Sequence, residues 1–452
     1  MSDLAERAAL WFRADLCLVD NPAWAWATAN AERVLPFVTL DQRLLASVGE
    51  FRRTQYLANV AALREELRGH GGDLLVVSHQ PGAALHEALG SCDVLCFNNA
   101  TSAFGRSREA AIMHSLPIRT ERFWGTLIQP PGAVLTAKGT LSRVFTPFWK
   151  TWDRTPLASM PQVGTATIET ASGDPLPEYS SPPHPPGSDA AFAALNEWCH
   201  TVDDYESTRD IPSVPGTSGL SAALRFGTIS PRTVLETVGT HTPGRAAFVR
   251  QLAWRDWYAH LLMETPSMLS HAFRPEYDAI RWEDDPDGLQ RWKAGQTGYP
   301  IVDAGMRQLA QTGWMHNRVR MIAASFLVKD LLIDWRHGEE WFRHLLVDAD
   351  PAQNAGNWQW VAGTGTDAAP YFRIFNPITQ SRRFDPAGVY ISRWVPELAG
   401  LDASAVHAPW ESAPLDLAAA GVVLGDSYPA PIVDHAMARE RTLAAYKEAR
   451  GG

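Results

Sequence analysis

The sequence is short of cysteine, short of net positive charge and without a long apolar run. Four cysteines in 452 residues, Cys17, Cys92, Cys96 and Cys199, are too few for a disulfide framework. Cys92 and Cys96 share the apolar run SCDVLCF with no second Cys/His pair nearby, so they read as buried thiols and not as zinc ligands. That usage fits a reducing cytoplasm. No stretch reaches the roughly 18 apolar residues of a membrane span. The N-terminal MSDLAERAALWF also lacks the basic and apolar regions of a secretion signal. A net charge of −10 argues against general polyanion binding, although a local basic groove depends on charge distribution and not on the total. Motifs are missing too: there is no Walker sequence, no HExxH and no G-x-S-x-G.

What is present is a globular composition, with 45% hydrophobic and 20% charged residues, in a chain long enough for two or three domains. Up to residue 135, the runs ALWF (9–12), VLPFVTL (34–40), LLVVSH (74–79) and VLCFNN (94–99) read as buried strands. Between them, Phe51–Arg68 has helical spacing, with Leu57, Val60, Leu63 and Leu67 on one face. This alternation predicts an α/β domain, a Rossmann-like parallel sheet covered by helices, over 1–135. No G-x-G-x-x-G follows its first strand. Residues 136–189 read as an interdomain linker, and 155–187 in particular are rich in Pro, Gly, Ser and Thr with no sustained period. From 190 to 452 the apolar residues recur at three- and four-residue spacing, which predicts an all-α domain. HNRVRMIAASFLVKDLLIDW (316–335) reads as one such helical stretch.

The unusual number is 18 tryptophans, eleven of them after residue 250 and many beside charged or amide residues. A buried indole N–H wants a partner, so such residues are costly to place. A large aromatic core accounts for most of them; some can carry electrons or stack on bases. On this ground the stretch from Trp254 to Asp385 is read as a helical module that holds a redox cofactor.

Three segments carry polar groups suited to that role. GTSGLSAALRFGTISP (216–231) places Thr217, Ser218 and Ser221 where a helix should begin, either as a phosphate cradle or as an ordinary N-cap. In WMHNRVRMIAASFLVK (314–329), helical spacing puts Asn317 and Met321 on one face and His316 and Arg320 on the next. Their burial calls for a polar ligand or a salt-bridge network. DADPAQNAGNWQW (348–360) looks at first like a calcium loop. It fails that pattern, because its sixth position is Gln353 and its twelfth is Gln359. Its carboxylates and amides suit the edge of a heterocycle equally well. GTGTDA (363–368) follows no strand and is set aside as a nucleotide fingerprint.

Taken with FVRQLAWRDWY (248–258), AGTGTDAAPYFRIFNPITQSRRFD (362–385), WFRADLCLVDNPAW and VFTPFWKTW (144–152), these segments resemble the photolyase/cryptochrome family of flavoproteins along nearly the whole chain. The likeness is greatest to bacterial class I photolyases that repair cyclobutane pyrimidine dimers. It implies an N-terminal domain able to hold an antenna pigment and a helical domain that binds FAD. By that resemblance, Tyr205, Thr217, Ser218, Leu220 and Ser221 match positions holding the flavin's phosphates and ribityl chain. Arg320, Asp348, Asp350 and Asn354 match those around its ring, with Asn354 at N5. Trp358, Trp335 and Trp282 match a tryptophan chain that feeds electrons to the flavin. Trp254 and Trp360 match an aromatic pair around a flipped-out dimer, Asn317 and Met321 match residues touching its bases, and Arg209, Arg318 and Arg373 match positions near DNA phosphates. The implied partner is UV-damaged DNA, met by a cytoplasmic monomer with no membrane contact.

The chain departs from the family pattern in two places. Gly219 replaces a basic residue often seen in T-S-R-L-S. Gln251 stands where dimer photolyases usually have Glu, and its amide can donate a hydrogen bond but cannot supply a proton. Gln is familiar there from six-four photolyases and animal cryptochromes, yet Asn317 and Met321 replace the histidine pair of six-four repair. Two readings follow: a light-driven dimer lyase slowed by Gln251, or a cryptochrome-type photoreceptor that has kept the pocket. The short C-terminus favours repair, and a dark flavin oxidoreductase lacks any nicotinamide motif. For the antenna, FNNATSAFGRSRE keeps Asn98 and Asn99 but puts Thr and Ser where folate-binding relatives have an acid. That argues against folate and leaves a deazaflavin, a second flavin or an empty site.

Overall fold

A computed structural model describes residues 4–451 apart from 79–82, 117 and 171. The backbone divides into two compact units, Met1–Asp203 with Ser218–Pro266, and Asp204–Thr217 with Ser267–Gly452.

The first unit is built on a parallel sheet. Its strands are β1 (Ala5–Phe12), β2 (Ala31–Thr39), β3 (Leu75–Val77), β4 (Val94–Asn98) and β5 (Arg119–Phe123), in the order β3-β2-β1-β4-β5. The first four overlap the apolar runs read from sequence, with β1 and β2 starting earlier than 9 and 34 and β3 shorter than 74–79, of which His79 lies outside the described residues. Strands covered on both faces must be apolar throughout, which is why β1 and β4 lack alternation. In register, Ala8 sits between Val34 and Val94, and Trp11 between Phe37 and Phe97. β5 was not anticipated. Its sequence RTERF is charged because it is an edge strand, where charge discourages further pairing. Nor is the linker structureless. It supplies β6 (Thr167–Ile168), which pairs with β2 at Arg33 and Val34.

Helices α1 (Pro22–Asn30) and α2 (Glu50–Gly69) belong to this unit. So do α3 (Phe145–Trp152), α4 (Gly187–Trp198), α5 (Ser221–Phe226) and α6 (Pro243–Glu264). Asp256 of α6 is fully buried and accepts from Gln129 N at 2.9 Å and from Trp152 Nε1 at 2.8 Å, which ties α3 to α6. A buried carboxylate needs such donors.

The second unit is helical. Its frame is α7 (Pro300–Thr312), α8 (Asn317–Ser325), α9 (Trp335–Leu345), α10 (Pro351–Ala362) and α11 (His435–Ala449). The continuous helix expected over 316–335 is broken. His316 is the N-cap of α8, α-helical hydrogen bonding widens to a π-turn over Phe326–Asp330, and Leu332 takes a left-handed φ of 55°. Apolar periodicity continued through the break because Leu331, Leu332 and Ile333 are buried in irregular backbone. Lys329 sits in the π-turn, buried, and donates to Ala362 O at 2.8 Å. Tyr446 of α11 donates to the same carbonyl at 2.6 Å, so the C-terminal helix is pinned to the end of α10.

Candidate functional site

The second unit holds an open cleft with about 520 Å³ of empty space, the solvent at its mouth included. Three of its walls come from α8, α9 and α10. From α8 come Asn317, Arg320 and Met321; Asp348, Asp350, Asn354 and Trp358 complete the set of sequence-nominated residues gathered there.

His316 opens α8. Its Nδ1 accepts from Arg318 N at 3.2 Å, and burial lowers its pKa to about 4, so the ring is neutral. His316 caps the helix and does not line the cleft, whereas Arg320, one turn on and bonded through its N–H to His316 O at 3.0 Å, does. Asn317 and Met321 do share a face, with Nδ2 and Sδ 3.9 Å apart.

Arg320 donates to Met315 O at 2.7 Å and clamps Asp348 with both terminal nitrogens, at 3.2 and 2.9 Å. Such a bidentate pair fixes the orientation of both charges. Asp350 is the N-cap of α10. Its Oδ1 accepts from Ala352 N and Gln353 N at 3.0 and 3.1 Å, and Pro351 follows at the first helical position.

Asn354 donates through Nδ2 to Glu339 O at 2.9 Å and to Glu339 Oε1 at 2.8 Å. With both amide hydrogens engaged, its Oδ1 is left as an acceptor. Glu339, 7% exposed, was missed in the sequence. So were the cleft residues Gln353, Asn357 and Val361, whose four-residue spacing along one face of α10 was the available signal.

Trp358 is 2% exposed and packs against Phe342 at 5.0 Å and Trp292 at 6.2 Å. Gly338 of α9 makes room for it, because a Cβ there would overlap the indole. Trp335 is buried at the start of α9, with the Arg336 guanidinium 5.1 Å from its ring. Trp282 is half-buried and edge-on to Tyr446 at 6.2 Å. No described ring contact joins Trp282, Trp335 and Trp358 directly, but Trp335 and Trp358 belong to one apolar cluster against which Trp282 packs. Trp360 is half-buried and packs against the same cluster.

Of the cationic residues in this unit, Arg318 pairs with Asp210 at 2.8 Å and lies over Phe384 at 4.3 Å. Arg209 lies over Tyr205 at 5.7 Å, and Arg373 is exposed. Thr217 ends the short segment that belongs here.

The remaining nominated residues lie in the first unit. Ser218 Oγ accepts from Leu220 N at 3.3 Å, and Ser221 begins α5. Gly219 has φ 66°, so glycine suits the turn where relatives' basic residue was expected. Gln251 donates to Ala247 O, one turn back on α6, at 3.1 Å. Trp254 stacks on Phe145.

At the carboxyl ends of β1 and β4, where strand order reverses, a polar cluster forms. Asn98 donates to Asp15 at 2.7 Å and to Asn21 at 2.8 Å, while its own Oδ1 is buried without a partner. Arg13 pairs with Glu109 at 2.8 Å and lies 4.3 Å over Trp11. Ligands of open α/β sheets bind at such a reversal.

Comparison with known proteins completes the picture. Residues 8–165 match the family model for DNA photolyase, and 248–448 match that for the FAD binding domain of DNA photolyase. The chain is 41% identical to the deoxyribodipyrimidine photo-lyase of Escherichia coli, covering 98% of this chain and 99% of that one. A bacterial class III photolyase from Agrobacterium tumefaciens superposes with a TM-score of 0.92 at 38% identity, covering 100% of this chain and 99% of that chain. An archaeal photolyase from Sulfolobus tokodaii, solved with two FAD molecules, gives 0.86 at 32% identity, covering 98% and 100%. A sheet-based unit, a helical unit with a polar-and-tryptophan cleft, and full-length likeness at this level of identity agree: the chain belongs to the DNA photolyase family.

Proposed function

We propose that this protein uses light to split cyclobutane pyrimidine dimers in DNA. The observation that supports it best is the cleft, which gathers a fixed Arg320–Asp348 pair, the Asn354 acceptor and the buried Trp358 ring. These groups fit a flavin ring: a charge pair and an acceptor for its polar edge, with Phe342, Val361 and Trp358 for its apolar faces. When bound, reduced FAD supplies the electron that light transfers to the dimer.

The chain's own residues would do the rest. Tyr205, Thr217, Ser218, Leu220 and Ser221 hold the phosphates and ribityl chain, and Asp350 fixes the start of α10. Trp282, Trp335 and Trp358 relay electrons inward through the apolar cluster. Trp254 and Trp360 each offer a ring face to an extruded base, which a damaged dinucleotide yields more cheaply than a normal pair. Asn317 and Met321 touch the bases. Gln251 donates one amide hydrogen to Ala247 O, which leaves its second N–H for a base carbonyl, and it has no acidic proton to give. Arg209, Arg318 and Arg373 meet phosphates.

The polar cluster at the ends of β1 and β4 is our candidate antenna site, for a deazaflavin, a second flavin or a folate. The amide nitrogen of Asn98 is already committed, which counts against its serving as a folate donor. The absorption spectrum of the purified protein separates these pigments. The composition-based division into 1–135, 136–189 and 190–452, the monomeric state and the cytoplasmic location belong to the same proposal. Among the described residues no helix is long and apolar enough to cross a membrane.

The test is reduced protein mixed with a UV-irradiated oligonucleotide, in blue light and in darkness. Repair predicts dimer loss only in the light. Light-induced change in the flavin spectrum with dimers intact would instead favour the photoreceptor reading.

A further inference from the structure

We infer that Phe145 is a positioning residue for Trp254, holding that indole ready to receive a base of the lesion. The inference rests on the proposal that Trp254 faces the dimer. Phe145 opens α3, is 1% exposed, and stacks on Trp254 with ring centroids 3.7 Å apart and planes 13° apart. Trp257 closes the arrangement edge-on, 5.1 Å from Trp254 and 5.7 Å from Phe145.

Trp257 is itself held, because its Nε1 donates to Ser142 O at 2.8 Å. The backing ring is fixed as well: α3 is tied to α6 by the bond from Trp152 to Asp256. A half-buried indole stacked on Phe145, with Trp257 edge-on and Tyr258 tilted 5.5 Å away, cannot change rotamer without losing these contacts. Its other face is then already ordered when a base arrives, so less side-chain freedom is lost on binding. The guanidinium of Arg250, an exposed residue beside Gln251, sits 5.4 Å from the Phe145 ring, so the same phenyl group also organises a cation at the rim.

Phe145→Leu keeps an apolar group but removes the stack, whereas Phe145→Tyr keeps it. In the FAD-loaded full chain, Phe145→Leu should weaken binding of a dimer-containing duplex about tenfold, the loss expected for one aromatic contact. Affinity for the undamaged duplex and flavin content should stay as in the parent, and Phe145→Tyr should restore discrimination. In a Trp254→Ala background, Phe145→Leu should add no further loss. Should Phe145→Leu fail to fold, Phe145→Met, closer in volume, takes its place. Equal weakening on both duplexes, an unchanged dimer affinity, or a Tyr variant as poor as Leu with flavin retained would overturn the inference. A Trp254→Ala variant that binds the dimer as well as the parent would overturn the underlying reading instead.

Discussion

At the scale of single residues, chemistry turns on which groups can change charge. Gln251 cannot, and one of its two amide hydrogens is engaged by Ala247 O of its own helix. Gln251→Glu places a titratable group at the position proposed to meet the lesion, so repair per absorbed photon should rise, by up to roughly tenfold if a full charge-assisted hydrogen bond is gained. An unchanged yield in steady illumination would show that this position does not limit repair. His316 is the opposite case, a group that must stay neutral. Its pKa falls from 6.5 to about 4 because it is buried. Between those values the unfolded chain binds a proton that the folded chain refuses, so this contribution is full above 6.5 and is lost as pH falls toward 4. Asp330, raised to about 6 by burial although its hydrogen bond with His435 pulls the other way, contributes with the opposite sign in part of that window. His316→Asn keeps a capping acceptor and removes the titration. Urea unfolding of parent and variant from pH 4 to 7 should show the parent's stability rising relative to the variant's by on the order of 1 kcal/mol per pH unit. Parallel curves would contradict the account.

At the scale of elements, the candidate site depends on how closely α9 and α10 approach. Alanine is a better helix former than glycine by about 1 kcal/mol, so propensity alone favours Gly338→Ala. The overlap of the added Cβ with Trp358 opposes it. Overpacking costs about 1–3 kcal/mol, so the packing term should win, with a lower denaturation midpoint and slower light-driven flavin reduction. A more stable variant with parental photoreduction would show that the helices can separate without harm. Elements also mark the limit of what could be read from sequence. β1 to β4 were legible because doubly covered strands are apolar throughout, and α6 and α7 because their spacing is regular. β5 was not, since an edge strand's charge hides it. The π-turn after α8 was not either, because Leu331 to Ile333 stay apolar in irregular backbone. Asp350 was nominated at the flavin ring by resemblance alone, and its capping of α10 was missed although the Asp-Pro pair is a helix-start signal.

At the scale of the molecule, a chain with net charge −10 must bind a polyanion through local charge. Arg318 is already paired with Asp210 and Arg209 is half-buried over Tyr205, so exposed Arg373 is the most available cation of the three. Arg373→Ala should weaken damaged and undamaged duplex alike. It should also reduce the slope of log affinity against log salt by about 0.9, the value for one phosphate contact. A loss confined to damaged DNA would place Arg373 at the bases. The family was legible in long, ordered motifs spread over both units, and the cleft gathers seven residues nominated from them. Glu339 and Phe145 were not legible, because each acts through a neighbour brought close only by folding.

The central claim is that light absorbed by the reduced flavin drives repair of the dimer. It is tested most directly by single flashes on a one-to-one complex of the reduced protein with an oligonucleotide containing a single dimer, counting the dimers left after each flash. The account predicts loss in fixed proportion to photons absorbed, and none in darkness or with the flavin oxidised. A flavin that absorbs and responds to every flash while the dimer count stays constant would contradict it.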